Sequence, residues 1–191
     1  MAGGAIKLIV GLGNPGPEYQ KTRHNAGDWF VRALANQAGV DLVFQKKFNA
    51  LFTRADLFGH DCFLMIPLNF MNLSGDSIRA VAQFYKLSPE EILIAHDDLD
   101  LQPGTARWKK DGGHGGHNGI RDSIAKLGGA HFYRLRLGIG HPGQSHQVTN
   151  YVLGRANKAD QQHIEQAIDN AMISLPQLLD GNLSAAMNGL H

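Results

Sequence analysis

The chain has 191 residues, 43% of them hydrophobic, and its 18 basic and 17 acidic side chains give a formal net charge of +1. That length suits one domain, 1–191, with a substantial core, and the near-even charge excludes a nonspecific nucleic-acid coat. No apolar run approaches the roughly 20 residues that span a bilayer, and Met1-Ala2-Gly3-Gly4-Ala5 lacks the charged and apolar regions of a secretory signal, so the cytoplasm is the expected compartment.

Ile6 to Val10 reads as a buried strand stopped by Gly11. The loop that follows, Gly11 to Asn25, carries Asn14, Tyr19, Arg23, His24 and Asn25 at the end of a strand, where open α/β sheets place ligands. Gly11-x-Gly13-x-x-Gly16 also matches the dinucleotide fingerprint. Against that reading, Pro15 and Pro17 remove N–H donors that a phosphate cradle would use, and the helical pattern begins only about ten residues later.

Ala26 to Ala38 has helical periodicity and stops at Gly39. Leu42–Phe44 and Phe48–Phe58 suggest two strands, and a turn at Gly59-His60-Asp61 leads into Cys62–Pro67, which predicts a hairpin and a mixed sheet. Cys62, the lone cysteine, reads as a buried structural thiol. The next strand-end loop holds Asn69, Phe70, Met71 and Asn72, with Ser74 expected to cap a helix running to about Lys86.

Ser88-Pro89-Glu90-Glu91 signals one short helical turn. Ile92–Ala95 then reads as a central strand that ends in His96-Asp97-Asp98-Leu99-Asp100. Thr105–Lys110 precedes a Gly/His loop, 112–119, after which Ile120, Ile124 and Leu127 mark a helix stopped by Gly128-Gly129. Phe132–Gly140 alternates apolar and basic residues, as a strand with one wet face would. Gln161–Leu179 is an amphipathic packing helix that Pro176 should kink or end.

Val10, Pro67 and Ala95 end three strands; if these are neighbours, their loops converge at one edge of the sheet. A His with a carboxylate partner is a minimal general base, and amides can hold a water or an oxyanion without changing charge. With no G-x-S-x-G elbow, attack by an activated water fits better than a covalent intermediate. A metal-dependent hydrolase is the chemical rival, through His114-x-x-His117 and His96-Asp97-Asp98, although four glycines around the two loop histidines cannot preset ligands. Arg107, Lys109, Lys110, Arg134 and Arg136 flank the Gly/His loop and suit phosphate neutralisation.

Gly11–Asn25, Phe70–Gly75, His96–Asp100, Gly112–Gly119 and Arg134–Pro142, in this order and spacing along nearly the whole chain, closely resemble bacterial peptidyl-tRNA hydrolase. The resemblance implies a single α/β domain with a mixed, twisted sheet sandwiched between helices (phosphorylase/hydrolase-like). It implies a monomeric esterase, independent of metal and cofactor and without an obligatory protein partner, that frees tRNA from its peptide. Position by position it makes His24 the general base, Asp97 its supporting acid, and Asn14 a residue that positions substrate and discriminates peptidyl-tRNA from aminoacyl-tRNA. Asn72 and Asn118 become substrate- and water-binding amides, Tyr19 and Phe70 line the acceptor-end site, and Lys109 and Arg136 clamp the 5′-phosphate. Asp28 and Asp111 depart from the pattern and bear on affinity. A nucleotide-binding protein and a noncatalytic RNA-binding module are the other readings to set beside it.

Overall fold

A computed structural model describes residues 5–190; most of the N-terminal stretch read for a signal, and His191, lie outside it. The sheet has seven strands: β1 (Leu8–Gly11), β2 (Val43–Gln45), β3 (Ala50–Leu57), β4 (His60–Pro67), β5 (Ile92–Asp98), β6 (Ala106–Lys110) and β7 (Tyr133–Gly138). Their order is β2-β3-β4-β1-β5-β7-β6. The four central strands, β4, β1, β5 and β7, run parallel, and β2, β3 and β6 are antiparallel to their neighbours. The mixed α/β sheet is therefore as expected, with β4, β1 and β5 side by side and their three following loops at one edge.

Helices cover both faces. On one lie α1 (Ala26–Ala38), α4 (Val148–Val152), α5 (Lys158–Leu179) and α6 (Leu183–Asn188); on the other lie α2 (Ser74–Tyr85) and α3 (Asn118–Leu127). Odd-numbered β5 residues Leu93 and Ala95 pack toward α1, while Ile92 and Ile94 pack toward α2 and α3. Phe30, Val31 and Leu34 form the buried stripe of α1, and Gly39 ends that helix in the left-handed conformation.

Several boundaries differ from the sequence reading. The hairpin turns at Phe58-Gly59, both with positive φ, so that Leu57 faces His60 across a two-residue turn. Ser74 is the first residue of α2 rather than its cap: its hydroxyl donates to Met71 O, and Asp122 from α3 accepts from Gly75 N at 2.8 Å. β5 continues through Asp98, so the ionisable cluster belongs to the strand and inherits its alternation. Helix α5 passes through Pro176 and ends one turn later. The expected wet face of β7 is not simply wet, because Arg134 is buried. Ser88 and Glu91 do form a capping box at their short turn.

Candidate active site

Asp97 sits near the end of β5, facing the α1 side, and its carboxylate is buried. His24 reaches it from the 3-10 turn just ahead of α1, with Nδ1 at 3.0 and 2.9 Å from the two oxygens. His117 Nε2 lies 2.8 Å from Asp97 Oδ1. One carboxylate thus serves two imidazoles.

The tautomers follow from what else each ring touches. His117 Nδ1 accepts from Gly119 N and Ile120 N, capping α3, so its proton is on Nε2 and is donated to Asp97. His24 turns Nδ1–H toward the carboxylate, which leaves Nε2 as the acceptor of that ring. Burial alone would lower the His24 pKa; the Asp97 charge and hydrogen bond outweigh it and hold it above the ordinary value. Burial alone would likewise raise the Asp97 pKa, yet the two imidazoles hold it far below the carboxylate range.

The first loop is fixed by a reciprocal amide pair. Asn25 occupies the N-cap position of α1, but its side chain accepts from Asn14 N at 2.9 Å and donates to Asn14 O at 3.0 Å. A side-chain cap is typically worth about 1 kcal/mol, so α1 forgoes that stabilisation to hold the loop. Asn14 Oδ1 in turn accepts from Met71 N at 2.7 Å. Its Nδ2 is then the free end of the amide, a donor beside the cleft.

Asn14, His24, Asp97 and His117 line a cleft of about 560 Å³, together with Phe70, Met71, Asn72, Lys109, Asn118 and Arg136. Of the sequence-predicted site residues, Tyr19 alone is not in the lining; it meets Phe70 edge-on at 6.3 Å. Phe70 is exposed while its neighbour Met71 is buried, so the apolar pair divides between cleft and core. Asn72 and Asn118 stand exposed, at the turn before α2 and at the start of α3, two elements that pack against each other.

The far side of the cleft is basic. Arg136 is cross-strand from His96, and its Nε bonds Asp98 Oδ2 at 2.7 Å. Its two terminal nitrogens have no partner among the described residues. Lys109 faces Arg134 across β6 and β7 and forms no ion pair among the described residues. Arg134 donates to Gly113 O at 2.5 Å and Gly112 O at 2.6 Å, pinning the start of the Gly/His loop. The two departures noted in the sequence are accounted for elsewhere: Asp28 pairs with Arg32 at 2.6 Å, and Asp111 accepts from His131 at 3.2 Å.

Sequence reasoning considered His117 and His96 as ligands of the rival metal site and Arg134 only as one of the phosphate-neutralising cations, and it gave Asn25 no role of its own. Asn25 adjoins His24 in a polar loop, and that adjacency was the available signal. His96 donates from Nδ1 to the Asp97 carbonyl, and its Nε2 is buried without a partner among the described residues. The metal reading does not gather His114, whose Nδ1 accepts from Gly116 N. His24, Asp97 and His117 do present ligand-type atoms within 4.8 Å of one another. There, however, each nitrogen facing the carboxylate carries the proton it donates, and a cation would have to displace both and undo the α3 cap.

The family described as Peptidyl-tRNA hydrolase matches residues 8–191. The relative from Chromohalobacter salexigens, named Peptidyl-tRNA hydrolase, is 54% identical over 187 residues, covering 97% of this chain and 96% of its own length. One of the same name from Marinobacter nauticus is 55% identical over 186 residues, with 97% and 95% covered. The crystal structure of peptidyl-tRNA hydrolase from Acinetobacter baumannii superposes with a TM-score of 0.94 at 49% identity, covering 97% of this chain and 94% of that one.

Proposed function

Because the chain belongs to the peptidyl-tRNA hydrolase family, an enzyme family acting on peptidyl-tRNA, we propose how its own residues divide that reaction. The scissile bond is the ester between the peptide carbonyl and the 3′ oxygen of the terminal ribose. His24 Nε2 takes a proton from water as the water attacks the carbonyl carbon. Asp97 receives the Nδ1–H and stabilises the imidazolium that forms. His117 donates to the same carboxylate, keeping it oriented and ionised. When the tetrahedral intermediate collapses, His24 returns the proton to the departing ribose oxygen.

Asn14 Nδ2 is the donor for the substrate carbonyl, and Asn72 and Asn118 hold the water and the peptide end. Phe70, backed by Tyr19, offers an aromatic face to the acceptor end. Lys109 and the free end of Arg136 clamp the 5′-phosphate. We further assign the chain to the cytoplasm, acting as a monomeric single domain without cofactor or obligatory protein partner.

The observation that carries this reading is the single-sided commitment of His24: Nδ1 is held by Asp97, and Nε2 is left as an acceptor in a residue lining the cleft. The test is release of an N-acetyl-amino acid from its tRNA by the wild type and His24→Ala, each with and without EDTA. Turnover that survives EDTA and vanishes with His24 supports the reading. EDTA-sensitive turnover would transfer the chemistry to a cation at His24, Asp97 and His117. Loss of tRNA affinity equal to the loss of rate would remove the general-base role.

A further inference from the structure

A second cavity, of about 580 Å³, lies behind the catalytic turn and is lined by Lys21, Trp29, Arg155, Ala156, Lys158, Gln161, Gln162 and Glu165. None of these residues belongs to the cleft described above. The linings of the two cavities come close along the chain. Leu153 lines the cleft and Arg155 the second cavity, and Thr22, next to Arg23 and His24, bridges to Arg155.

The lining of this cavity carries three cations and one acid. Lys21, Arg155 and Lys158 form no ion pair among the described residues, and all three are exposed. Glu165, the lone acid in the lining, takes its recorded hydrogen bond from the Gln161 amide, at 3.4 Å. Three unneutralised cations therefore converge on a concavity of ligand size. Trp29 adds an aromatic surface whose orientation is set by its indole N–H, which donates to Gln20 O at 2.7 Å.

Cations that follow a backbone, together with a fixed aromatic ring, are what a protein presents to single-stranded nucleic acid. We propose that this cavity is a second RNA subsite, which holds one nucleotide unit of the substrate's single-stranded acceptor end, with the phosphate on Lys21, Arg155 and Lys158 and the base against Trp29. The inference rests on peptidyl-tRNA being the substrate. A peptide is the less fitting occupant, since its sequence varies while three fixed cations would reward only acidic ones.

The test compares two substrates, an N-acetyl-aminoacyl-tRNA and the same aminoacyl ester on the terminal nucleoside alone, with the wild type and the double variant Lys21→Glu/Lys158→Glu. On the tRNA ester, the variant is expected to raise KM about tenfold at unchanged kcat, as loss of charge-assisted phosphate contacts would, and to flatten the salt dependence of KM. On the nucleoside ester it should match the wild type. Trp29→Phe, which keeps a ring, should raise the tRNA KM less than Trp29→Ala. Equal KM for wild type and double variant on the tRNA ester would overturn the subsite, as would an equal loss on both esters. A KM that follows the charge of the attached peptide rather than the presence of RNA would also overturn it. Failure of the wild type to cleave either ester would instead strike the assigned reaction.

Discussion

The backbone of Gly27 lies against the carbonyl of Ala95, so closely that a Cβ at Gly27 would overlap that oxygen. Leu12 N donates to the same carbonyl at 3.1 Å, and Asp28 N donates to Leu12 O at 3.1 Å. The first turn of α1 is thereby seated on β1 and β5, three residues after His24 and opposite a point two residues before Asp97. The short His24–Asp97 contact is a product of this crossing.

Gly27→Ala should therefore push α1 off the sheet. Overpacking of this kind costs roughly 1–3 kcal/mol, which for a chain of this size lowers Tm by about 2–4 °C per kcal/mol. The accompanying expectation is a fall in kcat larger than the change in KM. A variant that melts early but keeps full kcat would show that the crossing stabilises the fold without setting the catalytic distance. Thermal melts and steady-state kinetics on the same preparation decide it.

Asp97→Asn should lower kcat by about 10⁴, the scale seen when the acid behind a general-base His is neutralised. The pH profile gives a sharper check. In the wild type the His24 pKa is raised, so the protonated, inactive form persists to a higher pH and the acid limb of kcat/KM falls below a midpoint above 6.5. Without the carboxylate charge, burial alone acts on His24, and the limb should move to lower pH. A limb that stays in place would mean that another group controls it.

Lys109→Ala and Arg136→Ala should each raise KM and leave kcat nearly unchanged. Each should reduce the slope of log affinity against log salt by about one phosphate's share. Asp98→Asn separates two effects at Arg136, since Asp98 both orients the guanidinium and competes with phosphate. Lower affinity in Asp98→Asn assigns it the orienting role, and higher affinity the competing one. Filter binding over a salt series reads all three variants.

His96 predicts acid lability. Burial, with the neighbouring His117 adding to it, pushes its pKa down to about 4. A histidine held neutral contributes stability that is fully present above its unfolded pKa of 6.5 and is lost as pH falls toward 4. Linkage puts the loss at about 3 kcal/mol across that window. In His96→Gln, the decline of stability between pH 6.5 and 4, followed by urea denaturation, should be visibly shallower. An unchanged decline would place the acid sensitivity elsewhere.

The loops that carry His24 and Asp97 were legible in the sequence because each follows an apolar run, while pairing the two residues rested on the family resemblance. Such runs report strands, and a parallel sheet brings their ends to one edge. What the sequence could not report was the direction of side chains after β5 continued to Asp98. Alternation sends Asp97 toward His24, while His96 and Asp98 join Arg136 on the other face, so adjacent residues serve different parts of the cleft. The role of His117 depends on a bond to a residue 20 positions away and on capping its own helix, neither of which follows from a Gly/His composition. Ser74 misled for the opposite reason: its residue type suits a cap, but tertiary contact gave that task to Asp122.

The sheet is covered unevenly. Helices α2 and α3 bury the β4, β1 and β5 side of their face, while Lys109, Arg134 and Arg136 turn the same face of β7 and β6 toward the cleft. A helix laid there would have to bury a guanidinium and an ammonium against apolar side chains, which is prohibitive. The protein's third layer is left unfinished by its own charges, and a polyanion is the kind of molecule that can finish it. The substrate then acts as a removable piece of architecture, and the amides of β6, at the open margin of the sheet, should exchange with solvent more slowly when that piece is in place.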